Sequence, residues 1–388
     1  MSKIILKGIT WGHSRGITPL LAVSQRYMEL HPEVEIQWKK RTLQEFADFP
    51  IEKLTLDYDL LIIDHPWVGC AAATNCVLPL DKYLDAQYLK DQADNSVGDS
   101  HFSYNYEGGQ WALAIDAATP VASYRRDLLT DHNKSIPQTW EEVLVLAKMG
   151  KVAVPAIPID LLMNFYTFCI AHGKEPFQTQ EEVIGEVTGL AALESMKEFY
   201  SLVDKRFFKC NPIAVAELMS NTNDYWYCPF AYCYSNYSRI GYSKYLLKYT
   251  DVVRFGNARL RTTIGGTGLS VSASGKHPEI AVDFAAKAVS NEWQQTLYVQ
   301  NGGQPGHKAA WLNTDSNRIS NDFFRQCLPV MENGYLRPRY NGYLHFQDHG
   351  GDPVQQFLLG ELTAKKTLQQ LNEIYRKSFV TNDSKIIA

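Results

Sequence analysis

Motifs of enzyme chemistry are missing from this sequence of 388 residues. It has no G-x-S-x-G nucleophile elbow, no P-loop and no H-E-x-x-H zinc motif. Gly265-Gly266-Thr267-Gly268 is rich in glycine, but it precedes a strand pattern, whereas a nucleotide-binding loop follows a strand. We therefore expect neither catalysis nor a bound cofactor.

Cysteine pairs with the spacing of a metal ribbon or a redox motif are also missing. The chain has seven cysteines and no C-x-x-C; Cys70 and Cys76 are six apart, and Cys228 and Cys233 are five apart. This spacing excludes a zinc ribbon and a thioredoxin-like motif. Scattered cysteines in a large chain are usually small buried side chains, and so many unpaired thiols fit a reducing compartment.

Long apolar runs and a charge excess are absent as well. No run of about 18 apolar residues occurs, so we predict no membrane span. The net charge of −4 favours neither a nucleic-acid partner nor an anionic membrane surface. The N-terminal MSKIILKGITWG does not read as a signal peptide, which leaves two alternatives: a cytoplasmic protein, or a chain that begins after a removed leader.

A metal site is not indicated either. His345 and His349 are four apart, which on a helix would place both on one face. Gly350-Gly351 and Pro353 follow, so we predict an irregular segment over 336–352 and no metal pair.

The first part of the chain predicts a parallel sheet. A strand over 3–10, a helix that begins with Thr18 as cap and Pro19 as its first residue, and a strand over 34–38 form a βαβ unit. A further apolar strand follows at 59–64. In open α/β sheets ligands bind beyond the carboxyl ends of the strands. The loops 11–15, 39–41 and 64–67 should therefore converge on one site.

The stretch from Ile264 to Gly306 predicts a second organised unit. It reads as a glycine loop, a short strand, a helix that begins at His277-Pro278 and a glycine-proline loop. Aromatic residues make up 12% of the chain, and the densest aromatic stretch is 225–237. A flat ring offers apolar area and a polar edge to a ligand, although core packing is the commoner role of any single ring.

Four patches, taken in order, resemble the maltose-binding-like group of bacterial extracellular solute-binding proteins (family 1), which serve ABC importers. They are DLLIIDHPWVGCAAATNCVLPLDKYL at 59–84, YEGGQWALAIDAATPVASYRRDLL at 106–128, IPQTWEEVLVLA at 136–147, and the stretch from Ile264 to Pro305. The segment 358–374 also resembles the family's tail. The chain departs from the family at one position where an Asn is usual, which is Arg125 or Arg126 here.

The resemblance implies an α/β protein with the two-lobed, type II periplasmic-binding-protein-like fold and a ligand cleft between the lobes. Lobe 1 would comprise 1–115 and 262–311, and lobe 2 would comprise 116–261 and 312–388. A small solute would be bound by hinge closure, without a cofactor or metal. Its partners would be the ABC permease subunits of the inner membrane, and the protein would be a periplasmic monomer.

The solute would be a sugar, an acidic sugar derivative or a similar small polar molecule. Basic residues at 13, 15, 41 and 65 keep an acidic ligand open, because a guanidinium can bind a carboxylate at two points. A cytoplasmic enzyme or ligand sensor on the same fold is the alternative. The predicted ligand-binding residues are Trp11, His13, Arg15, Arg41, Asp64, His65, Asp116, Tyr227, Tyr232, Asn236, Gly265 and Gly266. The glycine pair is interpreted as a hinge and ligand-facing turn, so that Gly266→Val would weaken binding more than folding.

Overall fold

The chain forms two compact units. The structure, a computed structural model, describes residues 3–43, 45 and 49–380. The first unit comprises the described residues up to 118 together with 264–332 and 339–341; the second comprises 119–263, 333–338 and the described residues from 342 onward. The predicted boundaries differ from these most at 312–332, which lies in the first unit. The buried Trp311 ring packs there against Phe323 and Phe324, which ties this segment to the residues before it.

The first unit contains a five-stranded sheet in the order β2-β1-β3-β12-β6, and the second a three-stranded sheet in the order β8-β7-β9. The strands are β1 Ile4–Trp11, β2 Val34–Arg41, β3 Leu60–Ile63, β4 Asn105–Tyr106, β5 Gly109–Gln110, β6 Leu113–Ala118, β7 Pro120–Tyr124, β8 Tyr227–Tyr232, β9 Lys248–Thr250, β10 Arg254–Phe255, β11 Ala258–Arg259 and β12 Gly265–Val271.

Helices cover the sheets and fill most of the second unit. They are α1 Ser14–Leu30, α2 Ile51–Leu54, α3 Val68–Thr74, α4 Ala86–Asp94, α5 Arg126–Asp131, α6 Trp140–Lys148, α7 Pro158–Ala171, α8 Glu186–Tyr200, α9 Pro212–Asn221, α10 Pro278–Ala288, α11 Asn291–Trp293, α12 Lys308–Leu312, α13 Thr314–Ile319, α14 Phe323–Met331, α15 Tyr343–Leu359 and α16 Ala364–Val380. A π-helical turn, Gln294–Tyr298, follows α11.

The predicted βαβ unit is confirmed. Strand β1 runs parallel to β2 from the Ile4–Val34 pair to the Trp11–Arg41 pair, and β3 lies parallel to β1 on its other side. The returning strand β12 is antiparallel to both β3 and β6 and lies between them. Its apolar side chains join a core with Leu6, Ile62 and Phe284. A strand formed far along the sequence thus completes the sheet that the first 63 residues begin.

The core of the second unit is aromatic. The Trp140 ring, at the start of α6, packs against Phe168, Phe199 and Phe230. Thr139 caps this helix in a full capping box with Glu142, as the sequence predicts. Most of the tyrosine and phenylalanine excess therefore serves packing in this unit, with the apolar ring area removed from water.

Two predicted local structures are wrong at their ends. Helix α1 begins at Ser14 with His13 as its cap, so Thr18 is not the cap and Pro19 lies inside the helix. Residues 39–41 are the last residues of β2 and not a loop.

The largest error concerns 336–352, which the sequence analysis treats as irregular. Helix α15 runs through His345, His349 and the glycine pair. A Cβ on Gly351 would overlap the backbone of Pro158 in α7. The glycines therefore allow two helices to approach closely, and they do not end the helix.

All seven cysteines are free thiols. None of the helices in the described ranges combines the length and the apolar character that a membrane crossing needs. Within those ranges no set of three or more His, Cys, Asp or Glu side chains is arranged to hold a metal ion.

Candidate functional site

The predicted residues of the first unit meet at one edge of its sheet. Trp11 and Arg41 are paired at the carboxyl ends of β1 and β2, and Asp64 directly follows β3. On the neighbouring strands Gly266 pairs with Ala117 at the same edge, beside Asp116. The sheet register therefore brings Trp11, Arg41, Asp64, Asp116 and the glycine pair to the end at which open α/β sheets bind ligands. His13, Arg15 and His65 lie in the segments that directly follow β1 and β3.

Arg15 and Asp116 are bonded to each other. Arg15 Nε donates to Asp116 Oδ2 at 2.8 Å, and Arg15 Nη2 forms a second, short bond to Asp116 Oδ1. Both side chains are buried. Burial raises the pKa of the Asp116 carboxyl, and the Arg15 guanidinium acts against that rise. The two-point pair joins α1 to β6, so both residues position the edge.

Arg41 also makes internal bonds. Its Nη2 donates to the Ile62 carbonyl of β3 at 3.1 Å, and its Nη1 donates to the Glu45 carbonyl at 3.2 Å. Burial lowers the pKa of Arg41 to about 10, so the guanidinium keeps its charge at neutral pH. Arg41 therefore joins the ends of β2 and β3.

His13 is neutral at physiological pH. Its Nδ1 accepts from the Arg15 backbone N–H at 3.0 Å, which caps α1. Burial, followed by the charge of Arg15, lowers the pKa of His13 to about 4. Because Nδ1 is the acceptor, the proton of the neutral ring lies on Nε2. His13 thus offers a hydrogen-bond donor without a positive charge.

Asp64, His65 and Trp67 form a short turn after β3. The Asp64 carboxylate accepts from the His65 backbone N–H at 2.9 Å and lies 3.3 Å from His65 Nδ1. The His65 side chain is fully buried, whereas Asp64 is partly exposed. Of these residues, Asp64 therefore offers a carboxylate to a solute while His65 holds it in place.

Trp11 is a buried spacer. Its indole lies against Gly16 of α1, where a Cβ would overlap the ring. The close approach of α1 to β1 requires both residues. The main role of Trp11 at this edge is therefore to pack β1 against α1.

The glycine pair lies inside strand β12, which corrects the predicted loop. Gly265 and Gly266 pair with Ala118 and Ala117 of β6. Gly266 has φ of +96°, and a Cβ there would overlap the carbonyl oxygen of Asp116. Since a side chain at Gly266 would disturb the strand itself, we expect Gly266→Val to destabilise the fold as well. That it weakens binding more than folding stays a prediction.

In the second unit, Tyr232 and Asn236 lie close in sequence at one end of β8. Tyr232 is the last residue of that strand and pairs with Pro120. Asn236 belongs to the 3-10 helix Ser235–Ser238 and is buried. Among the described residues, its Oδ1 has no hydrogen-bond partner. Both remain candidates for contact with a polar ligand.

Tyr227 is separated from them, contrary to the prediction that groups the three. It begins β8 and pairs with Tyr124, five residues from Tyr232. At the rise of a strand the two lie about 17 Å apart. Tyr227 is fully buried, and burial raises the pKa of its hydroxyl. It is better explained as part of the core.

Arg125, one of the two arginines at the position where the family usually has Asn, is a structural residue. It is fully buried, and its Nη1 donates to the carbonyls of Met219 and Thr222. It also forms a two-point pair with Asp127, and its guanidinium lies 3.9 Å from the Tyr245 ring centre. The departure from the family therefore changes packing in the second unit.

Several residues at the first unit's edge were missed by the sequence analysis. Gln304 Nε2 donates to the Ala117 carbonyl at 2.7 Å, and Gln294 bonds the Ile115 carbonyl and the Gly306 N–H. Trp67 Nε1 and Thr267 Oγ1 are buried, and neither has a hydrogen-bond partner among the described residues. The Gly-Gly-Gln-Pro run at 302–305 was the one visible signal for Gln304.

A family model described as bacterial extracellular solute-binding protein matches residues 50–318. This range is more than half of the chain and contains the edge segments from Asp64 to Gly266.

Solved structures share the fold over nearly the whole chain. Maltose-bound MalE3 of T. maritima has a TM-score of 0.81 at 17% identity, with 96% of this chain and 99% of that chain covered. An ABC transporter solute-binding protein of Agrobacterium radiobacter K84 in complex with ribitol has a TM-score of 0.83 at 18% identity, with coverage of 97% and 99%. The maltotriose-binding protein of Thermus thermophilus has a TM-score of 0.77 at 19% identity, with coverage of 97% and 100%.

Proposed function

The chain belongs to the bacterial extracellular solute-binding proteins, and from this membership we propose that it captures an uncharged sugar or polyol for an ABC importer. The family and the fold are those of binding proteins. We further propose that it performs no catalysis, works outside the cytoplasm as a monomer and delivers its solute to membrane permease subunits.

The charge balance at the edge of the first unit is the observation that carries the choice of solute. Arg15 is neutralised by the Asp116 carboxylate, and His13 is uncharged. The Arg41 guanidinium is directed to two backbone carbonyls. In the turn Asp64–Trp67, the Asp64 carboxylate is more exposed than the His65 ring. A carboxylate there accepts from hydroxyl groups and would repel an anionic ligand.

The relatives' ligands agree in chemical class with this proposal. The T. maritima protein is described with maltose, the Agrobacterium radiobacter protein with ribitol and the Thermus protein with maltotriose. All three ligands are uncharged and carry several hydroxyl groups. We propose the same class for this chain, through donors such as His13 Nε2–H and acceptors such as Asp64.

Thermal unfolding in the presence of single solutes tests the proposal. A ligand at a hundred times its Kd stabilises the native protein by about 2.7 kcal/mol, so a true ligand raises Tm clearly. The panel contains maltose, maltotriose, ribitol and mannitol, with ribonate and mannonate as the charged counterparts of the two polyols. We expect a neutral compound to raise Tm and its acid to have no effect. A folded protein that responds only to the acids contradicts the proposed solute class.

A matched pair of variants locates the site. Asp64 and Asp204 each cap a 3-10 helix by accepting from a nearby backbone N–H. Asp64→Ala and Asp204→Ala should therefore cost similar stability, about 1 kcal/mol each. Only Asp64→Ala should reduce the Tm increase given by the ligand. Equal responses of both variants would remove Asp64 from the site, and conversion of the ligand, seen by mass spectrometry, would favour the enzyme alternative.

A further inference from the structure

A pair of thiols lies outside the proposed site, at the end of helix α3. Cys70 is the third of the seven residues of the helix, and Cys76 follows the helix after Asn75. The Cys70 and Cys76 thiols are in hydrogen-bond contact. Both side chains are half-buried, so small reagents have access to them.

The cap of α3 explains why the two cysteines meet. Asn75 has φ of +51°, in the left-handed region, and its N–H donates to the Ala71 carbonyl at 2.8 Å. In such a cap the chain reverses, and the residue after the left-handed one commonly contacts the helical residue five or six positions before it. That residue is Cys76, and the position it meets is Cys70. The Ala273 N–H donates a hydrogen bond to the Cys76 carbonyl at 3.0 Å, which fixes the backbone after the cap.

A proton acceptor lies beside the pair. Cys70 Sγ donates to Glu52 Oε2 of α2 at 3.4 Å. Contact with the Cys70 thiol lowers the pKa of Cys76, whereas burial and the neighbouring Glu52 charge act in the opposite direction. Of the two thiols, Cys76 therefore forms the thiolate more readily, and the thiolate is the nucleophile in disulfide exchange.

We propose that Cys70 and Cys76 are a reversible redox modification site that closes to an intramolecular disulfide when it meets a small disulfide oxidant. The Cys76 thiolate attacks one sulfur of the oxidant and releases one thiolate. Cys70 loses its proton toward Glu52 and attacks the Cys76 sulfur of the mixed disulfide, which releases the second thiolate. Two protein thiols are oxidised to one disulfide, and one disulfide of the oxidant is reduced to two thiols.

The disulfide would link Cys70 in helix α3 covalently to the segment that follows the helix. The turn Asp64–Trp67 lies at the start of this helix, and Val77, next to Cys76, bridges Ser272 after β12. Closing the disulfide therefore fixes the helix between two segments of the first unit's sheet. Reduction by a thiol reverses the step.

Mass spectrometry of the whole protein after treatment with glutathione disulfide tests the proposal. Both cysteines fall in one tryptic peptide, 54–82, because no Lys or Arg lies between Lys53 and Lys82. We expect this peptide to lose two hydrogens without gaining glutathione, and two reactive thiols to disappear. In Cys76→Ser, Cys70 should remain a thiol or carry glutathione.

Cys210→Ser is the matched control, since Cys210 is also half-buried but has no cysteine beside it in sequence. This variant should form the same oxidised peptide as the unchanged protein. Glutathione on both Cys70 and Cys76, or two thiols that stay reduced in the folded protein, would overturn the proposal. These readouts require no solute, so their failure leaves the proposed function untouched.

Discussion

At the scale of single residues, the Arg15–Asp116 pair is the strongest candidate for a structural role. Its two bonds join α1 to β6, and both side chains are buried. Removal of one partner leaves an unpaired buried charge, so Arg15→Met should lower the free energy of unfolding by about 3–5 kcal/mol. Urea unfolding measures this loss.

The control for this pair is the exposed pair Arg318–Asp315. Arg318→Met should cost less than about 1 kcal/mol. The double variant Arg15→Met/Asp116→Leu should recover much of the single loss, because no buried charge remains. If Arg15→Met cost no more than Arg318→Met, the pair would not hold the edge together.

His13 should make stability depend on pH. Its pKa is lowered from 6.5 to about 4 in the folded protein. Protons bind the unfolded chain more readily between these values, so this contribution is full above about pH 6.5 and is lost as the pH falls toward 4. NMR titration of the His13 ring should therefore show protonation only near pH 4.

His13→Asn is the matched variant, because Asn is also a good helix cap. Its free energy of unfolding should fall less steeply than that of the unchanged protein between pH 6.5 and 4. His101, whose pKa burial also lowers to about 4, is present in both proteins and cancels in the difference. Parallel stability curves would contradict the assigned state of His13.

At the scale of elements, the strand β12 requires its glycine. Gly266→Val combines a side chain at φ of +96° with overlap of the Asp116 carbonyl, and should cost at least about 3 kcal/mol. Gly108→Val is the control, since Gly108 has φ of +80° but open space around its Cβ position. It should cost about 1–3 kcal/mol from the backbone alone. Equal losses in denaturant unfolding would show that the overlap is relieved.

Helix α15 offers a parallel test. Alanine favours helices over glycine by about 1 kcal/mol, but a Cβ on Gly351 would overlap the Pro158 backbone of α7. Gly351→Ala should therefore destabilise the protein, by about 1–3 kcal/mol. A Cβ on Gly350 meets only the movable Phe346 and Leu162 side chains, so Gly350→Ala should be nearly neutral. A stabilising Gly351→Ala would contradict the close packing.

At the scale of the whole molecule, the small net charge and the neutralised edge predict binding that salt hardly changes. The net charge is −4, and physiological salt screens the interaction between exposed charges that are more than about 8 Å apart. Titration calorimetry of a neutral ligand at low and high salt should give Kd values within a factor of about two. A tenfold weakening in salt would indicate an ionic contact to the ligand.

The sequence by itself determined the family, the βαβ start and the helix that begins at Pro278, because apolar periodicity and proline at a helix start are local signals. It also identified the loops that follow β1 and β3. Only the tertiary structure decided what the candidate residues do. Arg15 was predicted as a ligand contact, and its partner Asp116 lies 101 positions away in the chain.

The glycines show the physical reason. A glycine is written the same way whether it ends a helix, permits close packing or relieves a strand, and the sequence alone favoured loops at both Gly266 and Gly351. The neighbours that distinguish these cases, the Asp116 carbonyl and the Pro158 backbone, come from remote parts of the chain. The charge of a side chain also depends on remote neighbours. The sequence shows basic residues at 13, 15, 41 and 65. Burial and ion pairing in the folded protein leave the edge that they form nearly neutral.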